Sequence, residues 1–293
     1  MEKPKEPNGA PAAERTEPGK QGPARFDWLT VVITFGSIIG LYFPILLWLT
    51  ERTGSEDQLL HSFIVLGMAF AYLLLDPKST VSRLHLKHDS ISIGLAAAAA
   101  IVLALHYSVF PGGFTILGSF CLALGCALRF TFGPATSRLN LAFLSAFVLY
   151  LVFVLVLPLL DWPLRSMAGQ WSAWLLQQIG AGTALFLDSR GEELRLILLV
   201  GDTPFVVAPE CNGFGILTAS LLIATLLCVY HRISFGDILL LLGGTLVTAF
   251  LANVLRIFII INLAPHVSHY MFMHEVVGLS IFYGTLIFIW WFI

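Results

Sequence analysis

The sequence predicts an all-α polytopic membrane protein, with about eight transmembrane helices, an extracytoplasmic interfacial helix and a short β-hairpin before the sixth span. Three observations carry this. The 293 residues are 57% hydrophobic and 12% charged, about half the charge of a soluble domain. Mean hydropathy is +0.86. Apolar stretches recur at 28–49, 59–75, 91–110, 113–130, 139–160, 212–230, 238–263 and 274–293, each near the roughly 20 residues that cross a bilayer as a helix. A net charge of −2 without a basic block excludes a nucleic-acid binder, and four cysteines make no disulfide framework.

The chain divides into three parts. Residues 1–27 hold ten of the 34 charged residues, are rich in Pro, Gly, Ala, Glu and Lys and have no apolar periodicity, which predicts a disordered cytoplasmic tail. No short apolar core with a small-residue cleavage site follows, so a signal peptide is not expected. Residues 28–160 read as five N-terminal transmembrane helices, and 161–293 as the catalytic region. With the N-terminus inside, eleven cations fall on cytoplasmic segments: Lys3, Lys5, Arg15, Lys20, Arg25, Lys78, Arg83, Lys87, Arg129, Arg138 and Arg232. Only Arg52, Arg165, Arg190 and Arg195 fall outside, which places both termini in the cytoplasm of a multi-pass cell-membrane protein.

That orientation puts the long connection 161–211 outside. Over 162–187, Trp171, Trp174, Leu175, Ile179 and Leu185 alternate with Gln170, Gln177 and Gln178, a pattern suited to a helix lying in the interface. Two β-prone runs around Gly201 and Asp202 then predict a hairpin leading into Cys211. The helix near Trp171 and the hairpin are candidates for substrate contact.

Cys121, Cys126 and Cys228 fall inside spans and read as small hydrophobes. Cys211 stands instead where the sixth helix begins on the outer face, beside Asn212 and Gly213. Free N–H groups at a helix start favour a thiolate, and Gly213 leaves room for a substrate carbonyl. The same position also suits an inert interfacial cysteine. Arg256 is a cation within the seventh span, either snorkelling to the interface or serving the outer site. Asn253, one turn earlier, can orient it or bond a neighbouring helix. His274 opens the last span, with Gly278 four residues on. An imidazole can take a thiol proton and return it to a leaving amine, or it can simply mark the water boundary. Nucleophile, anion stabiliser and proton carrier at three outer helix ends form a set.

Two other chemistries are weaker. His266, His269 and His274 with Glu275 fall within ten residues, but the spacing matches no paired-His zinc helix and Pro265 interrupts it, so no metal or cofactor is expected. Acidic residues are absent from the centres of the apolar stretches, which argues against a proton-coupled transporter or an aspartyl intramembrane protease.

The motifs Cys211-Asn-Gly213, Asn253-Val-Leu-Arg256 and His274-Glu-Val-Val-Gly278 resemble the exosortase/archaeosortase membrane cysteine enzymes in order, spacing and topology, and the similarity covers about residues 161–290. The chain departs from the commonest pattern at Asn212, often Ser in bacterial members, and at Phe214-Gly215, often Leu-Arg. The resemblance implies a cysteine protease and transpeptidase that cleaves the C-terminal sorting tail of exported proteins through a thioester and transfers or releases them at the cell surface. Its partners would be exported proteins ending in a short motif, a transmembrane helix and a basic cluster, together with a cell-surface acceptor and membrane lipids. Carried over, Cys211 is the nucleophile, Arg256 the oxyanion stabiliser and His274 the acid/base, with Asn212, Gly213, Asn253 and Gly278 in support. The alternative readings are a non-catalytic membrane protein, such as a transporter or an exopolysaccharide assembly factor, and a lipid-modifying transferase.

Overall fold

The computed structural model describes residues 28–54, 57–75, 89–109, 112–134, 137–189, 195–208 and 211–293. The tail expected over 1–27 lies outside the described residues, as do Lys78, Arg83, Lys87 and Arg190.

Over their described residues all eight apolar stretches are helical, apart from Tyr42, Val109, Asn212, Gly213 and Ile293. Among the described residues, five helices are long and apolar enough to cross a membrane: α4 (Ser90–Ser108), α5 (Gly113–Phe132), the first part of α6 (Ser137–Gln178), α8 (Phe235–Leu263) and α9 (Tyr270–Phe292). The first expected span, 28–49, is two helices, α1 (Trp28–Leu41) and α2 (Phe43–Gly54), bent by 72°. Pro44 lacks the N–H that would continue the ladder there. Tyr42 at the bend is buried, and its hydroxyl shares a 2.5 Å hydrogen bond with Ser119, whose own hydroxyl donates to Ala99 O at 2.8 Å. The bend is thus tied to α5 and α4. Counted as one span, the pair makes six. The remaining two stretches give shorter apolar helices, Leu59–Leu73 within α3 (Asp57–Leu75), and α7 (Phe214–Tyr230). Nearly every side chain of α7 is buried, with α3, α6, α8 and α9 packed around it.

The expected interfacial helix takes a different form. No break separates it from the fifth span: α6 runs 42 residues, about 63 Å at 1.5 Å per residue, twice the hydrocarbon thickness. Its last turns are the predicted amphipathic stretch. The helix stops at Gly180, in the left-handed region at φ 88°, where Ala181 N–H donates to Leu176 O at 3.1 Å and Gly180 N–H to Gln177 O at 3.0 Å. This glycine-terminated cap ends the helix before 187. The following Thr183–Asp188 is strand β1 rather than helix, because it can pair with the hairpin.

The hairpin forms where expected, as β2 (Arg195–Val200) and β3 (Thr203–Val206), with Gly201 at φ 60° in its turn. β1 adds to it, giving an antiparallel sheet in the order β1-β2-β3 with Thr183 opposite Val200 and Ile197 opposite Val206. The sheet lies on the end of α6: a side chain at Gly169 would meet Leu185 and Leu196 at 3.4 Å. Leu196, Leu198 and Val207 then share an apolar cluster with Leu176 of α6, Ile257 of α8 and Cys211.

At the far end of α7, Asp89 caps α4 by accepting from Ser92 N–H at 2.8 Å, and Arg129 of α5 donates to it through Nε at 2.7 Å and Nη2 at 2.5 Å. The guanidinium, with the Ser92 N–H, holds this carboxyl well below the usual carboxylate range.

Candidate functional site

Cys211 follows β3 in the chain and sits two residues before Gly213, the residue that caps α7. Its N–H donates to Ala208 O at 2.9 Å. Asn212 accepts Phe214 N–H at 2.8 Å, supplying a partner for one of the free donors at the helix start. Its amide donates to Asp161 of α6 at 2.6 Å, and Asp161 also pairs with Arg165 one turn on. Arg165 is buried and its guanidinium lies 4.9 Å over Trp162.

Gly213 is required twice over. Its φ of 78° is left-handed, and a Cβ there would fall 2.5–2.8 Å from Asn253 side-chain atoms. That contact lets the Asn253 amide, 1% exposed, donate to Cys211 O at 3.0 Å. The Cys-x-Gly and Asn-x-x-Arg motifs therefore meet through one hydrogen bond and one missing side chain. Asn253 reaches across to the cysteine backbone. Its Oδ1 is buried with no partner among the described residues.

Cys211 Sγ lies 3.8 Å from His274 Nε2, the long end of a thiol–imidazole hydrogen bond. Gly278, one turn after His274 on α9, has no side chain because Arg256 occupies the space: a Cβ would sit 3.1–3.3 Å from its guanidinium. The three motifs thus converge at one end of α7, α8 and α9. Two cavities meet there. A larger one of about 860 Å³ is lined by Cys211, His274, Glu275, Met271 and residues of β3 and α8. A smaller one of about 270 Å³ is lined by Arg256, His274, Glu275, Gly213 and Gly278 with His61 of α3. Such a site can move a proton between sulfur and nitrogen while a peptide lies beside the thiol.

Several contributors were not singled out in the sequence. Asp161 falls at the end of an apolar stretch, yet it sits well inside α6, one turn before Arg165; an acid–base pair four apart at a membrane boundary was the available signal. His61 is one of several scattered histidines and carried none. Glu275, weighed in the sequence only as part of a metal cluster, lines both cavities. Trp171 packs edge-on against Phe250 at 6.0 Å and is not among the residues lining either cavity, whereas β3 of the hairpin lines the larger.

A family model described as transmembrane exosortase (Exosortase_EpsH) matches residues 48–291, which includes all three motifs and the sheet. No curated protein and no solved structure matches the chain. With that match spanning most of its length, the chain belongs to the transmembrane exosortase family.

Proposed function

We propose that this protein is a membrane-embedded cysteine peptidase or transpeptidase that removes the C-terminal sorting tail of exported proteins. The observation that carries the reading is the 3.8 Å approach of Cys211 Sγ to His274 Nε2, in a turn locked by Asn253 and Gly213. His274 Nε2 takes the thiol proton, and the sulfur attacks the scissile carbonyl. The tetrahedral oxygen gains negative charge, which the Arg256 guanidinium offsets. As the C–N bond breaks, the imidazolium returns its proton to the leaving amine and a thioester remains. An amine acceptor then releases the acyl group as a new amide, or water releases it as an acid, regenerating the thiol in either case.

The hairpin would receive the residues before the scissile bond. Val207 N–H donates to Leu196 O at 2.8 Å, so Val206 between the paired positions turns its backbone groups to the outer edge of β3. An extended peptide along that edge enters the larger cavity beside Cys211. In this reading the eight helical stretches are eight crossings, counting α1 with α2. The N-terminus is cytoplasmic, and the thiol works outside on substrates delivered through the membrane.

The test is the C-terminal mass of an exported tail-bearing protein co-expressed with the wild-type chain or with Cys211→Ala at equal membrane abundance. Tail loss with the wild type alone is expected, and added mass on the product identifies the acceptor. Trimming by Cys211→Ala would sink the thiol mechanism and favour a non-catalytic role for the cluster.

A further inference from the structure

The smaller cavity does not end at the candidate site. α3 and α9 both pack on α7, and between them a second cavity of about 450 Å³ continues where the first stops. The upper cavity takes His61 from α3, Ile216 from α7 and Phe282 from α9. The lower one begins at Val65, Ile223 and Tyr283. Together they form a trough along the outer face of α7. Its lining positions on α3 (61, 65, 68, 69, 72) and on α9 (275, 278, 279, 282, 283, 286, 287, 290) recur at intervals of three and four, so each helix presents one face to it.

The floor is buried, with Val65, Ala69, Ile223 and Leu286 each below 7% exposure, while the rims Met68, Tyr72, Tyr283 and Ile287 are 42–69% exposed. From 275 to 290 the trough runs about 23 Å at 1.5 Å per residue, most of the hydrocarbon thickness. Polar groups crowd one end only: His61, Arg256, His274 and Glu275. At the other end Tyr72 and Trp290 close it edge to face, with ring centroids 5.4 Å apart. Gly215 at the polar end and Ala69 lower down give small-residue surface, on which two helices approach closely in lipid.

We propose that this trough seats the transmembrane helix of the substrate's tail, so that α3 and α9 grip the tail while the peptide before it crosses to Cys211. This rests on the sorting-tail reading above. A polypeptide with its scissile carbonyl at Cys211 that continues into the membrane passes His274, and the trough starts at His274. An apolar helix fits the dimensions and polarity: its polar approach meets the histidines and the arginine, and its body meets aliphatic and aromatic side chains, two of them tyrosines. Held in this way, the scissile bond is fixed by the depth of the helix as well as by the motif.

The test uses the full-length Cys211→Ala chain in membranes with a co-expressed tail-bearing protein. A photo-reactive phenylalanine replaces Met68, Leu279 or Ile287 in the trough, or Ile101 on α4 or Leu251 on α8 as controls. Cross-links from the three trough positions to the tail helix, absent from the controls, are expected. Cross-links to the tail from Ile101 or Leu251 instead overturn the proposal, as do trough positions that capture only lipid or a second copy of this chain. Ala69→Trp fills the floor. The ratio of kcat/KM for the full tail to that for a motif peptide without a helix should fall about tenfold, equivalent to about 1.4 kcal/mol at 25 °C; an unchanged ratio in folded protein overturns it. Wild-type cleavage reports separately on the site. Cleavage without trough cross-links sinks the trough alone, and trough cross-links on a tail that is never cleaved keep the trough and sink the cysteine mechanism.

Discussion

The polar clusters beside the two ends of α7 are built from similar parts, and in the proposed reading they differ in purpose. At the C-terminal end, Asp89 accepts from Arg129 and from the α4 backbone, so the ion pair and the cap answer each other. At the N-terminal end, Asn212, Asp161, Arg165 and Asn253 are also hydrogen-bonded, yet their bonds fix a turn and a backbone carbonyl. What that turn presents, the Cys211 thiol beside His274, lines a cavity. A cluster that serves stability directs its strongest groups at each other. In the proposed reading, the second cluster spends its hydrogen bonds on holding a reactive side chain in place.

The sharpest way to break this comparison is to remove the proposed nucleophile. Cys211→Ala deletes Sγ and leaves the carbonyl that Asn253 holds. Tail cleavage should fall at least about a thousandfold, as for loss of a nucleophile, with thermal unfolding in detergent within a degree or two of wild type. A matching loss of stability would make the cysteine structural.

Gly213→Ala should act the other way, on the fold first. The left-handed backbone and the overlap with Asn253 together should cost about 2–4 kcal/mol. Adding Asn253→Gly to that variant clears the overlap and leaves the backbone penalty, so part of the stability should return without the activity. A Gly213→Ala protein as stable as wild type would show that the turn relaxes freely.

Asn253→Ala removes the donor to the Cys211 carbonyl and should destabilise by about 1–3 kcal/mol, the usual penalty for stranding a buried acceptor. Its effect on kcat should exceed its effect on KM, because the thiol loses its set distance from His274 while the cavity walls remain. Equal changes in both would mean that Asn253 holds substrate rather than the turn.

How much of this was legible follows from what kind of contact each feature depends on. Helix positions were readable because hydrophobic length is a local property. The Cys211, Asn253, Arg256 and His274 set was readable because chemistry-bearing residues are rare in spans. The bend at Tyr42 was missed, although Pro44 signalled it, since a continuous apolar run over 28–49 outweighed one proline. Strand β1 was missed because Thr183–Asp188 continues an apolar pattern that also fits a helix; Gly180 decides between them only once β2 is there to pair. Asp161 left one local sign, Arg165 four residues on, whereas His61 depends on which helices become neighbours, a tertiary fact with no local trace. The same holds for Gly213 against Asn253, far apart in sequence and separated in space by one absent methyl group.

The smallest effect lies at the quiet end of α7, and it tests the other half of the comparison. The Asp89 carboxyl titrates below its ordinary value because Arg129 and the Ser92 N–H favour the charged form, so the folded state releases this proton more readily than the unfolded chain does. Its stabilisation is therefore complete above the unfolded carboxylate value, about 3.9, and is lost as pH falls through the lower folded value. Unfolding temperature should accordingly stay flat, as far as this group is concerned, from about pH 8 to pH 5 and begin to drop below about pH 4. Asp89→Asn should flatten part of that drop and lower the plateau slightly. The pair is partly exposed at 17% and 31%, so salt should shrink the difference. Tail cleavage at neutral pH should be that of the wild type. If Asp89→Asn instead slowed cleavage with stability intact, the two ends of α7 would be coupled, and the division between a self-answering cluster and a presenting one would fail.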